Sequence, residues 1–381
     1  MSIALALLFG LFLAYANGAN DNFKGVATLF GSGTADYRHA LGWATVTTFG
    51  GSLAALFLAQ GLLATFSGRG LVPDDVAVLK SFSVAVVLAS ALTVMLATRL
   101  GFPVSTTHAL TGALVGAGWL ASPAGVDFSK LGGYFLAPLI VSPALAFLCA
   151  VAAYPLFRIA REKCGIQKET CLCVGAEPVM VFSHGTSPDR ALALYRAERG
   201  IRAVPSMSIG VDVECHDRYA GKLLGVNAKS ALDLVHYLSA GVVSFARGLN
   251  DTPKIAALLL VGGAFTPGAT ITVVALAISA GGLFNAKKVA HTMAHRVTAM
   301  NAGQGFTANL VTGVIVIFAS KFGLPVSTTH VSCGALFGIG AATRQAYWKT
   351  ISGILAAWVI TLPVAALLGG GVFRIARGFM N

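Results

Sequence analysis

An eight-residue stretch, Gly-x-Pro-Val-Ser-Thr-Thr-His, occurs twice in this chain, at 101–108 and 323–330, each copy set between long apolar runs. Each is followed by the pattern GALxGxG, at Gly112 to Gly118 and Gly334 to Gly340. Proline suits the first turn of a helix, where its missing N–H would have no partner and its φ is already helical. Each copy therefore predicts a helix that starts between apolar segments. A start inside hydrocarbon leaves several N–H groups unpaired, with no water to serve them. Ser105, Thr106 and Thr107, and their counterparts Ser327, Thr328 and Thr329, add hydroxyls at that point, and the helix dipole adds partial positive charge. The result is a pair of candidate anion-binding nests. Two such nests facing each other near the bilayer midplane are what inverted-repeat transporters use to hold an anionic substrate.

The surroundings are those of a membrane protein. The 381 residues are 56% hydrophobic and only 11% charged, with mean hydropathy +0.76. A soluble domain carries about a quarter charged residues and rarely sustains apolar runs near twenty. We therefore expect an all-α polytopic chain, multi-pass in the cell (inner or plasma) membrane with the lipid bilayer as solvent. The net charge of +12 does not point to nucleic acid, because the basic residues are scattered between apolar runs, as cytoplasmic-side anchors are. Near the N-terminus, Ala14-Tyr15-Ala16 imitates a signal-peptidase site, but no basic residue precedes it and Asn17-Gly18-Ala19-Asn20-Asp21 follows. That segment reads as the first transmembrane helix. The chain has no Walker A, His-Glu-x-x-His or Gly-x-Ser-x-Gly motif. An enzyme is not expected, nor a cofactor or resident metal.

Along the chain, a polar break at 18–25 is followed by spans near 40–66, 80–99 and 131–158. The segment 103–118 is too short to cross, since a span needs about 20 residues, and reads as a re-entrant half-helix. Residues 159–229 form a polar insert expected to be a small soluble α/β element. Strand-like runs lie at 170–174 and 179–182, and a helical one at 189–199. Basic residues at its junctions (Arg158, Arg161, Lys163, Lys222, Lys229) place it on the cytoplasmic side. Cys164, Cys171, Cys173 and Cys215 match no regular zinc spacing, and reduced thiols are expected there, with a metal or redox site built from those four and His216 as the minority reading. The second half then repeats the plan. It has a segment at 233–245, a break at 248–254, a region at 255–284 with a turn at Gly262 to Gly268, and spans at 305–320 and 346–370; a basic stretch at 285–303 is interfacial. Asn20 and Asn250 are 230 residues apart and Pro103 and Pro325 are 222 apart. Offsets that close predict two tandem repeats, 1–158 and 230–381, joined by the insert. An inverted relation between them is favoured, because midplane sites between broken helices are its usual product.

These residues resemble the inorganic phosphate transporter (PiT) family. The resemblance rests on Gly18-Ala19-Asn20-Asp21, Gly248-Leu249-Asn250-Asp251, the two Gly-x-Pro-Val-Ser-Thr-Thr-His segments and the run Val297 to Ala308. It implies a secondary transporter of two inverted repeats that carries inorganic phosphate by alternating access, with Na+ or H+ as coupling ion. The implied phosphate site falls on Ser105, Thr106, Thr107, Ser327, Thr328 and Thr329, and the cation-associated residues on Asn20, Asp21, Asn250 and Asp251. One departure is symmetric. Where the family motif has a second asparagine, this chain has Lys24 in one half and Lys254 in the other. A lysine three residues after an aspartate can pair with it on one helix face, and an intramembrane charge is normally functional or paired. We therefore add Lys24 and Lys254 to the substrate site, where their ammonium groups stand in for bound sodium.

That substitution keeps a second substrate open, namely sulfate or another tetrahedral oxyanion suited to fixed positive charge. Asp21 and Asp251 weigh the other way, because a carboxylate can accept the O–H of a protonated phosphate and repels sulfate. From other functional classes, an anion channel or an oxyanion sensor would also use such nests, and a homodimer is compatible with a chain of this kind. Among weaker candidates, His108 and His330 are expected to hydrogen-bond within helices, and Asn22 to play a supporting part. Arg99 and Lys321 are read as interfacial, and Gln304 and Asn309 as lining the path.

Overall fold

Backbone groups in hydrocarbon must bond within their own segment, so the apolar runs fold as helices. The computed structural model describes residues 3–66, 71–167, 170–181, 186–190, 201–211, 224–260 and 265–380. In chain order its main helices are α1 (Ile3–Asp21), α2 (Ala27–Gly31), α3 (Tyr37–Leu58), α4 (Lys80–Leu100), α5 (Thr106–Ala121) and α6 (Phe128–Lys163). The second series is α7 (Ala228–Leu260), α8 (Pro267–Asn285), α9 (Lys287–His295), α10 (Ala302–Lys321), α11 (Thr328–Thr343) and α12 (Trp348–Met380). Among the described residues α3, α4, α6, α8, α10 and α12 are long and apolar enough to cross a membrane. This is a multi-pass membrane protein.

Residues 1–155 together with 236–381 form one compact unit, and Leu156–Val235 a second. The second unit holds a three-stranded antiparallel sheet in the order β2-β1-β3, with β1 at Thr170–Met180, β2 at Ile201–Val211 and β3 at Leu224–Asn227. The two short strands expected at 170–174 and 179–182 are largely one. Gly175 to Pro178 keep register opposite Ser206 to Ala203 instead of turning. The helix expected at 189–199 lies mostly outside the described residues. Cys173 is disulfide-bonded, with its partner outside the described residues, so the cysteines of this insert are not all reduced as expected. Spacing that matches no regular zinc pattern is still compatible with a cystine.

In the first unit, elements from the two sequence halves alternate, and glycines allow it. A Cβ at Gly112 or Gly116 of α5 would stand 2.3 or 1.9 Å from the carbonyl oxygens of Leu362 or Ala366 on α12. A Cβ at Gly334 or Gly338 of α11 would stand 2.4 or 2.5 Å from those of Pro143 or Phe147 on α6. These are the glycines of the two GALxGxG patterns. The Asn-Asp helices follow the same rule. Gly18 of α1 meets Ile278 of α8 and Gly281 meets Tyr15, while Gly248 of α7 meets Thr48 of α3 and Gly51 meets Phe245. Each half thus packs its motif helices on the other half's scaffold, and small residues bring the backbones close.

Two local expectations change. The second break, expected at 248–254, is absent, since α7 runs unbroken through Asn250, Asp251 and Pro253 to Leu260. In the first half α1 stops at Asp21 and turns through 22–26. Gly25 sits in that turn, hard against Ser244, where the second half has Ile255. Glycine costs roughly 1 kcal/mol in a helix and fits where a Cβ does not, whereas isoleucine continues one. Proline likewise does not open the two buried helices. Ser105 and Ser327 are the N-caps, so Pro103 and Pro325 precede the helices in non-helical loops.

Candidate substrate site

Asp21, Lys24, Arg247, Asp251 and Lys254 are the buried charged residues among those described, and they form one cluster. Its frame is the pair of helix starts at α5 and α11. The Ser105 hydroxyl accepts the His108 N–H at 3.1 Å, and the Ser327 hydroxyl accepts the His330 N–H at 3.2 Å. These serines therefore serve their own helices. The next residue in each run faces the acids. Thr106 Oγ1 donates to Asp21 Oδ2 at 3.1 Å and Thr328 Oγ1 to Asp251 Oδ2 at 3.5 Å.

The third residue in each run crosses to the other half. Thr329 Oγ1 donates to the Val104 carbonyl at 2.9 Å, and Thr107 Oγ1 to the Val326 carbonyl at 3.4 Å. The lysines repeat this exchange. Lys24 Nζ pairs with Asp21 Oδ1 and donates to Asn20 Oδ1 at 2.7 Å, the Val104 carbonyl at 2.9 Å and Thr329 Oγ1 at 2.6 Å. Lys254 Nζ donates to the Val326 carbonyl at 2.7 Å and Thr107 Oγ1 at 2.9 Å, and lies 3.6 Å from Asp251 Oδ1. Each ammonium thus joins the loop of its own half to the threonine of the other.

The asparagines hold the loops in place. Asn20 Nδ2 donates to Thr98 Oγ1 at 2.9 Å and to the Phe102 carbonyl at 3.0 Å, while its oxygen accepts the Val104 N–H at 3.1 Å. Asn250 Nδ2 donates to the Val326 carbonyl at 3.2 Å and to Asp251 Oδ1 at 3.0 Å, and Ser320 donates to its oxygen at 3.2 Å. All twelve residues singled out in the sequence are brought together. Two more belong with them. Asn17 Nδ2 reaches Asp21 Oδ2 at 2.9 Å, Thr106 Oγ1 at 2.9 Å and Asp251 Oδ2 at 3.3 Å, so one amide spans both aspartates. Arg247 donates to Asn17 Oδ1 at 2.6 Å and to Asn22 Oδ1 at 3.0 Å. A signal was available in the sequence, because Asn17 and Arg247 are also 230 residues apart and Arg247 interrupts an apolar run.

Other expectations fare differently. Asn22 supports Arg247, and its amide donates to Thr45 Oγ1 at 3.0 Å. Gln304 does not reach the cluster, because it closes a capping box with Asn301 at the start of α10. Asn309 is committed to Thr28 and Ser239. His108 and His330 face each other with ring centroids 4.3 Å apart, and His108 Nδ1 and His330 Nε2 lack hydrogen-bond partners among the described residues. His330 Nδ1 lies 3.4 Å from the Leu139 carbonyl of α6, so its hydrogen bond runs to another helix and not within its own, and its ring stacks on Trp358 at 3.8 Å.

Comparison with known proteins settles the lineage. The profile of the phosphate transporter family matches residues 17–369. The chain belongs to that family. Among curated members, it is 28% identical to a protein named as a phosphate permease in Pyrococcus horikoshii, over 98% of this chain and 97% of the relative. It is 30% identical to the chloroplastic inorganic phosphate transporter 2-1 of Arabidopsis thaliana, over 95% of this chain and 70% of that one. A solved structure titled "The sodium-dependent phosphate transporter" superposes with a TM-score of 0.74 at 21% identity, covering 99% of each chain, and so shares the fold. A family of phosphate transporters is not a family of enzymes.

Proposed function

We propose that this chain is a secondary active transporter that moves inorganic phosphate by alternating access between two inverted repeats. The observation that carries the reading is the reciprocal centre: two capped helix starts, each with a threonine hydroxyl on an aspartate, tied across the halves by two lysines. Helix N-termini and hydroxyls supply donors for an oxyanion. Asp21 and Asp251 supply acceptors, which a protonated phosphate can use and sulfate cannot. Thr106 and Thr328, beside Lys24 and Lys254, are the substrate contacts in this reading. Ser105, Ser327, Thr107 and Thr329 fix the helix starts around the anion, and Asn20 and Asn250 hold the loops.

The coupling ion in this reading is a proton rather than sodium. Lys24 Nζ is surrounded by a carboxylate, an amide oxygen, a backbone carbonyl and a hydroxyl. That is the oxygen set a hard cation takes. An ammonium already in that cage leaves less need for a sodium ion beside Asp21. The same fixed charge favours the second reading, transport of sulfate. The soluble insert is assigned to the cytoplasmic side by its basic flanks.

The test is uptake of labelled phosphate and, separately, labelled sulfate by proteoliposomes, each with and without a sodium or proton gradient. The expected result is phosphate accumulation driven by a proton gradient in sodium-free buffer, with sulfate a weak competitor. Sulfate uptake without phosphate uptake would overturn the substrate assignment. Binding with no uptake under any gradient would make the protein a sensor.

A further inference from the structure

The two halves of the buried centre match at three polar positions of the Asn-Asp motif and differ at two, of which the pair Asn22 and Thr252 is neutral on both sides. An offset of 230 pairs Asn20 with Asn250, Asp21 with Asp251 and Lys24 with Lys254, yet pairs the neutral Asn17 with Arg247. Arg247 is 1% exposed. Its terminal nitrogens donate to uncharged acceptors, Asn22 Oδ1 at 3.0 Å, Asn17 Oδ1 at 2.6 Å and the Asn17 carbonyl at 3.4 Å. Its Nε makes no hydrogen bond among the described residues and lies 3.6 Å from Asp251 Oδ2. That carboxylate also faces Lys254, while Asp21 has Lys24.

Among the described residues, the side chains of the centre therefore hold three cations against two carboxylates. A buried charge without a counter-charge is expensive, and such a charge inside a membrane is normally kept for a ligand or a partner. One further negative charge closes the balance. A singly charged oxyanion does so alone, whereas a permanent dianion such as sulfate leaves the centre one charge negative. The surplus sits beside the site, because Asn17, which Arg247 grips, also bonds Thr106, Asp21 and Asp251.

We propose that Arg247 is the specificity-determining residue that lets the centre bind singly charged phosphate with no accompanying sodium ion. The proposal rests on the phosphate-transport reading and goes beyond it by adding to the two lysines a third cation, Arg247, which has no basic counterpart in the first half and sets the charge selectivity. Without the guanidinium, two cations would face two carboxylates, and an arriving anion would need a cation to come with it.

The experiment is binding of inorganic phosphate to the purified full-length protein, by calorimetry, in choline and in sodium buffers, with sulfate as competitor. Wild type is expected to bind phosphate equally well in both buffers and sulfate much more weakly. Arg247→Gln should weaken binding in choline by about 30-fold or more, the scale of losing one partner of a buried charge pair, and sodium should restore part of it. Arg247→Lys keeps the charge and should keep sodium-free binding, which separates charge from a folding defect. The proposal is overturned if Arg247→Gln binds like wild type in choline, if Arg247→Lys fails like Arg247→Gln, or if wild type binds sulfate as tightly as phosphate. A wild type that neither binds nor takes up phosphate overturns the transport reading itself. Phosphate uptake with an indifferent Arg247→Gln overturns this inference alone.

Discussion

At the scale of single residues, hydroxyls with the same local sequence do three different jobs. Ser105 and Ser327 cap helices, so Ser105→Ala or Ser327→Ala should cost about 1 kcal/mol of stability, read as a lower melting temperature of the purified protein. Thr106 faces Asp21, so Thr106→Val should raise the phosphate concentration for half-maximal uptake on the order of tenfold. A Thr106→Val protein with unchanged uptake would remove that hydroxyl from the site. The sequence carried the identity of these residues because polar groups in an apolar chain are costly and few. It did not carry their division of labour, which depends on where the helix N-cap falls: at Ser105, two residues after the proline, and not at the proline itself. Asn17 and Arg247 were legible only through the 230-residue offset and the interruption Arg247 makes in an apolar run, since neither belongs to the doubled motif. The histidine stack was not legible at all, because it brings together rings 222 residues apart.

At the scale of elements, the GALxGxG pattern is a packing surface. Gly116→Ala would drive a Cβ to 1.9 Å from the Ala366 carbonyl, and Gly281→Ala would do the same at Tyr15. Both neighbours are backbone and cannot rotate away. Each substitution should destabilise by roughly 1–3 kcal/mol, measured as a lower melting temperature in detergent. Gly371→Ala, a position with no atom of the described residues within 4 Å of the added carbon, should leave melting unchanged or raise it. Helix positions were largely legible because apolar runs in a bilayer have little alternative. The second polar break was misjudged for a physical reason, as a buried proline removes one hydrogen bond but Ile255 and its neighbours keep the helix going. Polar residues alone do not break a helix when side chains around them satisfy their hydrogen bonds.

At the scale of the whole membrane unit, repetition in sequence becomes exchange in space. The loop of each half receives the threonine of the other, and each motif helix lies on the other half's scaffold. Neither half can complete its own site. Residues 1–227 and 228–381 expressed separately should fail to give folded protein, and expressed together should recover phosphate binding; a single half that binds phosphate would contradict the exchange. Repetition was plain in the sequence, but interleaving was not, since offsets report likeness and not contact. The account's central claim is that lysines built into this exchange do the work of a bound cation. Its most direct test is phosphate uptake by proteoliposomes of wild type beside the Lys24→Asn, Lys254→Asn double variant, in choline and in sodium. The account predicts sodium-indifferent uptake by wild type and uptake by the double variant that appears only with sodium. Wild-type uptake that collapses in choline would contradict it.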